Sequence, residues 1–148
     1  MTLTRTALVA LALAFAAFTA ACSEWGPSMR EHTYPPSFEY ISPEQLKSTM
    51  WQMARDTRDL EKLLGQPGPV SASDRSRAIA LLAAIEKESE QLGTEGARTN
   101  HPLLDTDRDR FRADVVTARR GVESEPPSYE LARTVSAACV HCHNRSMR

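Results

Sequence analysis

The sequence predicts an all-α fold, an antiparallel up-down-up-down four-helix bundle. Three observations carry the prediction. From about residue 43 onward, apolar residues recur at spacings of three and four, and no stretch alternates convincingly between apolar and polar. Gly and Pro break the pattern near 65–67, 93–102 and 121–127, dividing it into four segments. The connections between segments are mostly short, which places consecutive helices side by side and antiparallel.

Helix one opens at Ser42-Pro43-Glu44-Gln45, an N-cap, a proline at the first helical position and a capping-box Gln. Leu46, Met50, Met53, Thr57, Leu60 and Leu64 form its buried stripe; Gly65 ends it and Pro67 prevents its resumption. Helix two is expected to start near Ser73 or Asp74, to bury Ala78, Leu81, Leu82, Ile85, Ser89 and Leu92, and to stop at Gly93. Helix three is expected to be capped by Thr106, with Asp107 and Asp109 in its first turn, where the helix dipole favours them. Its stripe is Phe111, Val115, Ala118 and Val122, ending near Gly121. Pro126-Pro127-Ser128 resets the chain for helix four, expected to bury Leu131, Val135, Ala138 and Cys142, with His143 beside them.

The residues before this pattern read differently. Residues 1–21 read as a signal peptide: Arg5 supplies a positive start, Ala7 to Phe18 is an apolar run too short to span a bilayer, and Thr19-Ala20-Ala21 offers small residues for cleavage. The protein is therefore expected to be exported. Thr19-Ala20-Ala21-Cys22 resembles a bacterial lipoprotein box, in which Cys22 would be acylated and anchor the chain to the membrane. Residues 22–42, with Pro27, Pro35 and Pro36 and no apolar period, read as a tether. Fully extended, it would reach on the order of 60 Å. Trp25, Tyr34, Phe38 and Tyr40 are the side chains able to dock part of it, and His32 reads as a solvent residue. Residues 43–148 are then one domain. Removing 1–21 takes away Arg5 alone among charged residues and moves the formal charge from -1 to -2. That balance suggests neither a nucleic-acid partner nor a polybasic membrane surface.

Chemistry concentrates in Cys139-Val140-His141-Cys142-His143. Cys-x-x-Cys-His is the attachment signature of c-type haem: two thiols add to the vinyl groups and the next residue gives an imidazole to the iron. On a helix, Cys139 and His143 lie one above the other and Cys142 at the edge of the same face, so one porphyrin can engage all three. Rival uses fit less well. A redox dithiol belongs at the N-terminus of a helix after a strand, whereas this run ends a helical pattern. A structural zinc needs four ligands, and beyond Cys139, Cys142 and one histidine only His101 or His32 remains. A purely structural cysteine pair leaves His143 and the export signal unexplained.

Class I c-type cytochromes usually carry the motif near the N-terminus; cytochrome c-prime and its class II relatives carry it near the end of the last helix of a four-helix bundle. From about Ser42 to Arg148 the chain resembles the class II family. The resemblance implies one haem c per chain, thioether-linked to Cys139 and Cys142, with His143 as axial iron ligand. It also implies a haem-facing residue early in helix one, which is a Met ligand in some relatives and an apolar residue beside five-coordinate iron in others. The family's usual basic residue four positions after the ligand histidine is replaced by Met147, flanked by Arg145 and Arg148. Dimers are known in the family, so a homodimer is a candidate assembly.

In such a bundle the start of helix one, the second connection and the end of helix four share one end. Met50 lies roughly 10 Å into helix one and Met53 roughly 15 Å, so Met50 is the candidate sixth ligand and Met53 the packing residue. His101, in Asn100-His101-Pro102, is a third candidate, in an extended loop conformation. His141 is expected to point away from the distal side. The function expected is one-electron transfer by His/Met-ligated iron, with periplasmic redox proteins as partners and no enzymatic constellation of nucleophile, base and oxyanion donors. The alternative of the same fold is five-coordinate binding of nitric oxide or carbon monoxide; that of another class is a thiol-redox or metal-binding helical module.

Overall fold

Ser42 turns out to do what its position suggests. Its side chain accepts from the Gln45 N–H at 3.1 Å, Pro43 follows it at the first helical position, and α1 runs Pro43–Leu64. This arrangement belongs to a computed structural model that describes residues 38–146. Residues 1–21, expected as a signal peptide, Cys22, the expected tether as far as residue 37, and Met147 and Arg148 lie outside the described residues. Contacts divide the chain into Met1–Pro36 and Ser37–Arg148, and the description that follows is of the second unit.

Four helices dominate this unit: α1, α2 (Ala72–Glu90), α3 (Pro102–Glu123) and α4 (Glu130–Ser146). Each packs on the next in the chain, and α1 also packs on α4. The main core lies between them, with Leu60, Leu82, Ile85, Val115 and Val122 essentially inaccessible. Burying each such side chain contributes roughly 1.5–3 kcal/mol. A second cluster, Ile41, Met53, Leu92 and Leu104, has Leu46, Met50 and Phe111 packed against it.

Several boundaries differ from the sequence expectation. Helix α2 begins at Ala72 because Ser71, not Ser73 or Asp74, is its N-cap, accepting from the Asp74 N–H at 3.1 Å. It ends at Glu90, and Gly93, at φ +103°, lies in the connection beyond. Helix α3 starts at Pro102, and Thr106 is inside it, its hydroxyl donating to the Pro102 carbonyl at 3.2 Å. Proline's fixed φ suits a first helical position, so the helix forms directly after the extended His101. In α4, Leu131 is 49% exposed and Ala132 takes the core position. The stripes 131-135-138-142 and 132-135-139-142 both run in steps of three and four, so spacing alone does not choose between them.

Residues 38–42, expected as the end of the tether, are docked on the bundle. β1 (Phe38–Glu39) pairs in parallel with β2 (Arg98–Thr99), in the α2–α3 connection. Asn100 then brackets Ile41: its Oδ1 accepts from the Ile41 N–H at 2.8 Å and its Nδ2 donates to the Ile41 carbonyl at 2.9 Å. Ile41 is thereby seated in the second cluster, 2% exposed. These two short strands are the whole sheet among the described residues.

Candidate functional site

Cys139, Cys142 and His143 line a single cavity of about 320 Å³. Their spacing on α4 puts them on one face, as helical geometry requires. Met50 and Met53 enter the same cavity from α1, Leu104 and Phe111 from α3, and Leu92 from the α2–α3 connection. The second apolar cluster thus forms one wall of the cavity. Met50 is half-buried, whereas Met53 is 5% exposed and a member of the cluster. Lys47, Trp51 and Ala54, all exposed, stand on the α1 side.

Cys139 and Cys142 form no disulfide among the described residues, and each is half-buried. Burial pushes the Cys139 thiol above its ordinary value of 9.0, and the negative charges of Cys142 and Glu61 act in the same direction. A nucleophilic redox cysteine needs the opposite shift. Among the described residues no group of three or more His, Cys, Asp or Glu is placed to hold a metal ion. No described helix is long and apolar enough to cross a membrane.

The other histidines are placed elsewhere. His101 does not line the cavity; its Nε2 lies 3.1 Å from the Ile41 carbonyl, which Asn100 also holds. His141 lines a separate cleft of about 330 Å³ between α3 and α4, with Arg110, Asp114 and Leu131. Cys142, Asp107 and Phe111 stand between the two spaces and line both.

Sequence reasoning missed two charged residues of the site. Asp107 and Arg108 line the cavity at 8% and 2% exposure. Arg108 donates to the Leu92 carbonyl at 3.2 Å, the Ala97 carbonyl at 3.0 Å and Asp109 Oδ1 at 3.0 Å. Arg112 supports the same connection, donating to the Ser89 and Gly93 carbonyls at 2.9 and 3.0 Å. These two guanidiniums satisfy carbonyls left over at the end of α2, where cations are electrostatically favoured. They hold Leu92 against the cavity. The Arg108 hydrogen bond is also the main reason the Asp109 carboxyl sits below its ordinary value of 3.8. A signal existed: Leu104, Arg108, Phe111, Val115, Ala118 and Val122 continue one three-four stripe, which a start at Thr106 cuts short.

Comparison with protein-family models, with curated proteins and with solved structures finds no match to this chain. The functional reading therefore stands on the residues and their placement.

The residues present fit a covalently attached haem. Two thiols and an imidazole on one helical face border the same largely apolar space as a thioether from a neighbouring helix. An apolar surround also suits a porphyrin.

Proposed function

We propose that this protein is an exported mono-haem c-type cytochrome of the c-prime type, lipid-anchored through Cys22, that carries electrons one at a time. Its four helices would run up-down-up-down, a reading supported by the short connections 65–71 and 124–129 and by the packing of α1 on α4. The observation that carries the functional reading is the convergence of Cys139, Cys142 and His143 with Met50 on one cavity.

When bound, the haem supplies a reversible one-electron iron couple. Cys139 and Cys142 would fix it covalently, so that it cannot dissociate in an open compartment. His143 would hold the iron from α4, and Met50 would be the candidate second ligand from α1. A thioether raises the reduction potential relative to a second imidazole. Leu92, Leu104 and Phe111 would exclude water from the ring, and Arg108, by fixing the connection that carries Leu92, maintains that wall.

Those same apolar side chains support the second reading, in which Met50 does not ligate and the open iron binds nitric oxide or carbon monoxide. Mass spectrometry of the denatured full chain tests the shared premise. One haem should remain attached to the wild-type chain and none to Cys139→Ser/Cys142→Ser; haem covalently attached to the double variant would refute the assignment.

A further inference from the structure

Helix α1 presents a predominantly basic face to solvent. Lys47, Trp51, Arg55, Arg58 and Lys62 follow one another at steps of four, four, three and four, so they share a face on the side away from the buried Met53 and Leu60. All five are exposed, Trp51 at 65%. From Lys47 to Arg58 this face carries no acid, and it extends for roughly 22 Å as far as Lys62. Only Lys62 among its cations makes an ion pair within the described residues, with Asp59 at 3.6 Å. Arg55 is close enough to Glu88 to influence its carboxyl, without a short contact. In a chain of formal net charge -1, four cations on one helical face form a local excess of positive charge. The same face borders the cavity, because Lys47 and Trp51 line both.

We propose that this outer face of α1 is a docking surface for a protein partner that presents carboxylates. Positive charge in this arrangement steers and orients an acidic surface. An exposed indole among the cations supplies the aromatic anchor that interfaces favour. A lipid surface fits less well, since helices that lie in a bilayer bury a broad apolar face, and here Trp51 is the one large apolar side chain among the cations. Electron transfer connects with this surface by position: a partner held by Lys47, Trp51 and Arg55 sits at the rim of the proposed haem cavity.

The test is fluorescence anisotropy of a labelled decaglutamate peptide titrated with the full chain carrying Cys22→Ser, which removes any acyl anchor. Binding should be saturable at about 20 mM salt and largely lost at about 200 mM. Lys47→Gln/Arg55→Gln/Arg58→Gln should weaken it about tenfold. The charge-matched control Arg77→Gln/Arg98→Gln/Arg120→Gln, on exposed sites of other elements, should leave it within about twofold. All six positions are exposed, and far-UV circular dichroism checks that both variants fold. No saturable binding at low salt, or an equal loss in the control, overturns the proposal. So does sedimentation with vesicles of roughly 30% phosphatidylglycerol that requires the same three cations while the peptide fails to bind. The readout contains no haem signal: a chain lacking haem that still binds the peptide refutes the cytochrome reading alone, and a haem-loaded chain that does not bind refutes the docking face alone.

Discussion

Replacing Arg108 by alanine should destabilise the domain by about 3 kcal/mol, and the figure can be built from its partners. Removal leaves the Leu92 and Ala97 carbonyls without their guanidinium donor, and each buried group so orphaned costs about 1–3 kcal/mol. Two such groups sum to about 2–6 kcal/mol, and partial hydration of the half-buried connection keeps the total in the lower half of that sum. The ion pair with Asp109 adds little, because the Asp109 side chain is 38% exposed. Urea unfolding followed by circular dichroism measures the loss. Gly93→Ala provides an internal check. A Cβ there would lie 2.7 Å from Arg108 Nη1, and φ +103° is unfavourable for any L side chain. In the Arg108→Ala background the closest collision is gone, while the backbone strain and the tighter contacts with Thr99 Cγ2 at 3.1 Å and Glu39 Oε2 at 3.2 Å remain, so the two changes should be less than additive. A loss below about 0.5 kcal/mol for Arg108→Ala, or strict additivity with Gly93→Ala, would show that the guanidinium does not hold the cavity wall.

Two further perturbations test the packing around the site. Glu88 lies half-buried, and burial first, then the charge of Asp56, raises its carboxyl above the ordinary 4.5. A raised folded-state value means a contribution that is present at acid pH and lost as pH rises through that value. Glu88→Gln should therefore raise stability near pH 7 and leave it nearly unchanged near pH 4, read by thermal unfolding at both; a loss near pH 7 would contradict the sign. Ile41→Ala removes a side chain 2% exposed from the second cluster and should cost about 2–4 kcal/mol in urea unfolding, whereas a merely tethering segment would show almost no change.

The parts of this structure legible in the sequence are those written in local chemistry. Ser42-Pro43 and Gly65 mark both ends of α1 because caps and prolines act within one turn. The three-four period found Ala78, Leu82, Ile85, Val115, Ala118 and Val122 for the same reason. The Cys-x-x-Cys-His motif, and the end that the first and last helices of such a bundle share, brought Met50, Cys139, Cys142 and His143 into consideration together, and they line one cavity. What escaped depends on distant partners. Leu131 and Ala132 both begin stripes of three-four steps, and only packing against the neighbouring helices chooses between them. Arg108 is a charge on an apolar stripe, acceptable because carbonyls sixteen and eleven residues away in sequence receive its protons. Phe38 and Ile41 lie in a segment with no period of its own, and their docking is set by Arg98, Thr99 and Asn100. The basic face of α1 escaped because its cations stand three and four apart among acids, so no run of like charge marks it in the sequence.

The coordination of the iron that His143 and Met50 would share decides between electron transfer and gas binding. The most direct measurement is an absorption spectrum of the full chain, oxidised and reduced, for wild type and Met50→Ala. Ligation by both side chains predicts a low-spin spectrum with a near-infrared sulfur-to-iron band that disappears in Met50→Ala. A high-spin spectrum indifferent to the substitution, and shifting on addition of carbon monoxide or nitric oxide, would contradict electron transfer by His/Met-ligated iron and make gas binding the function of the site.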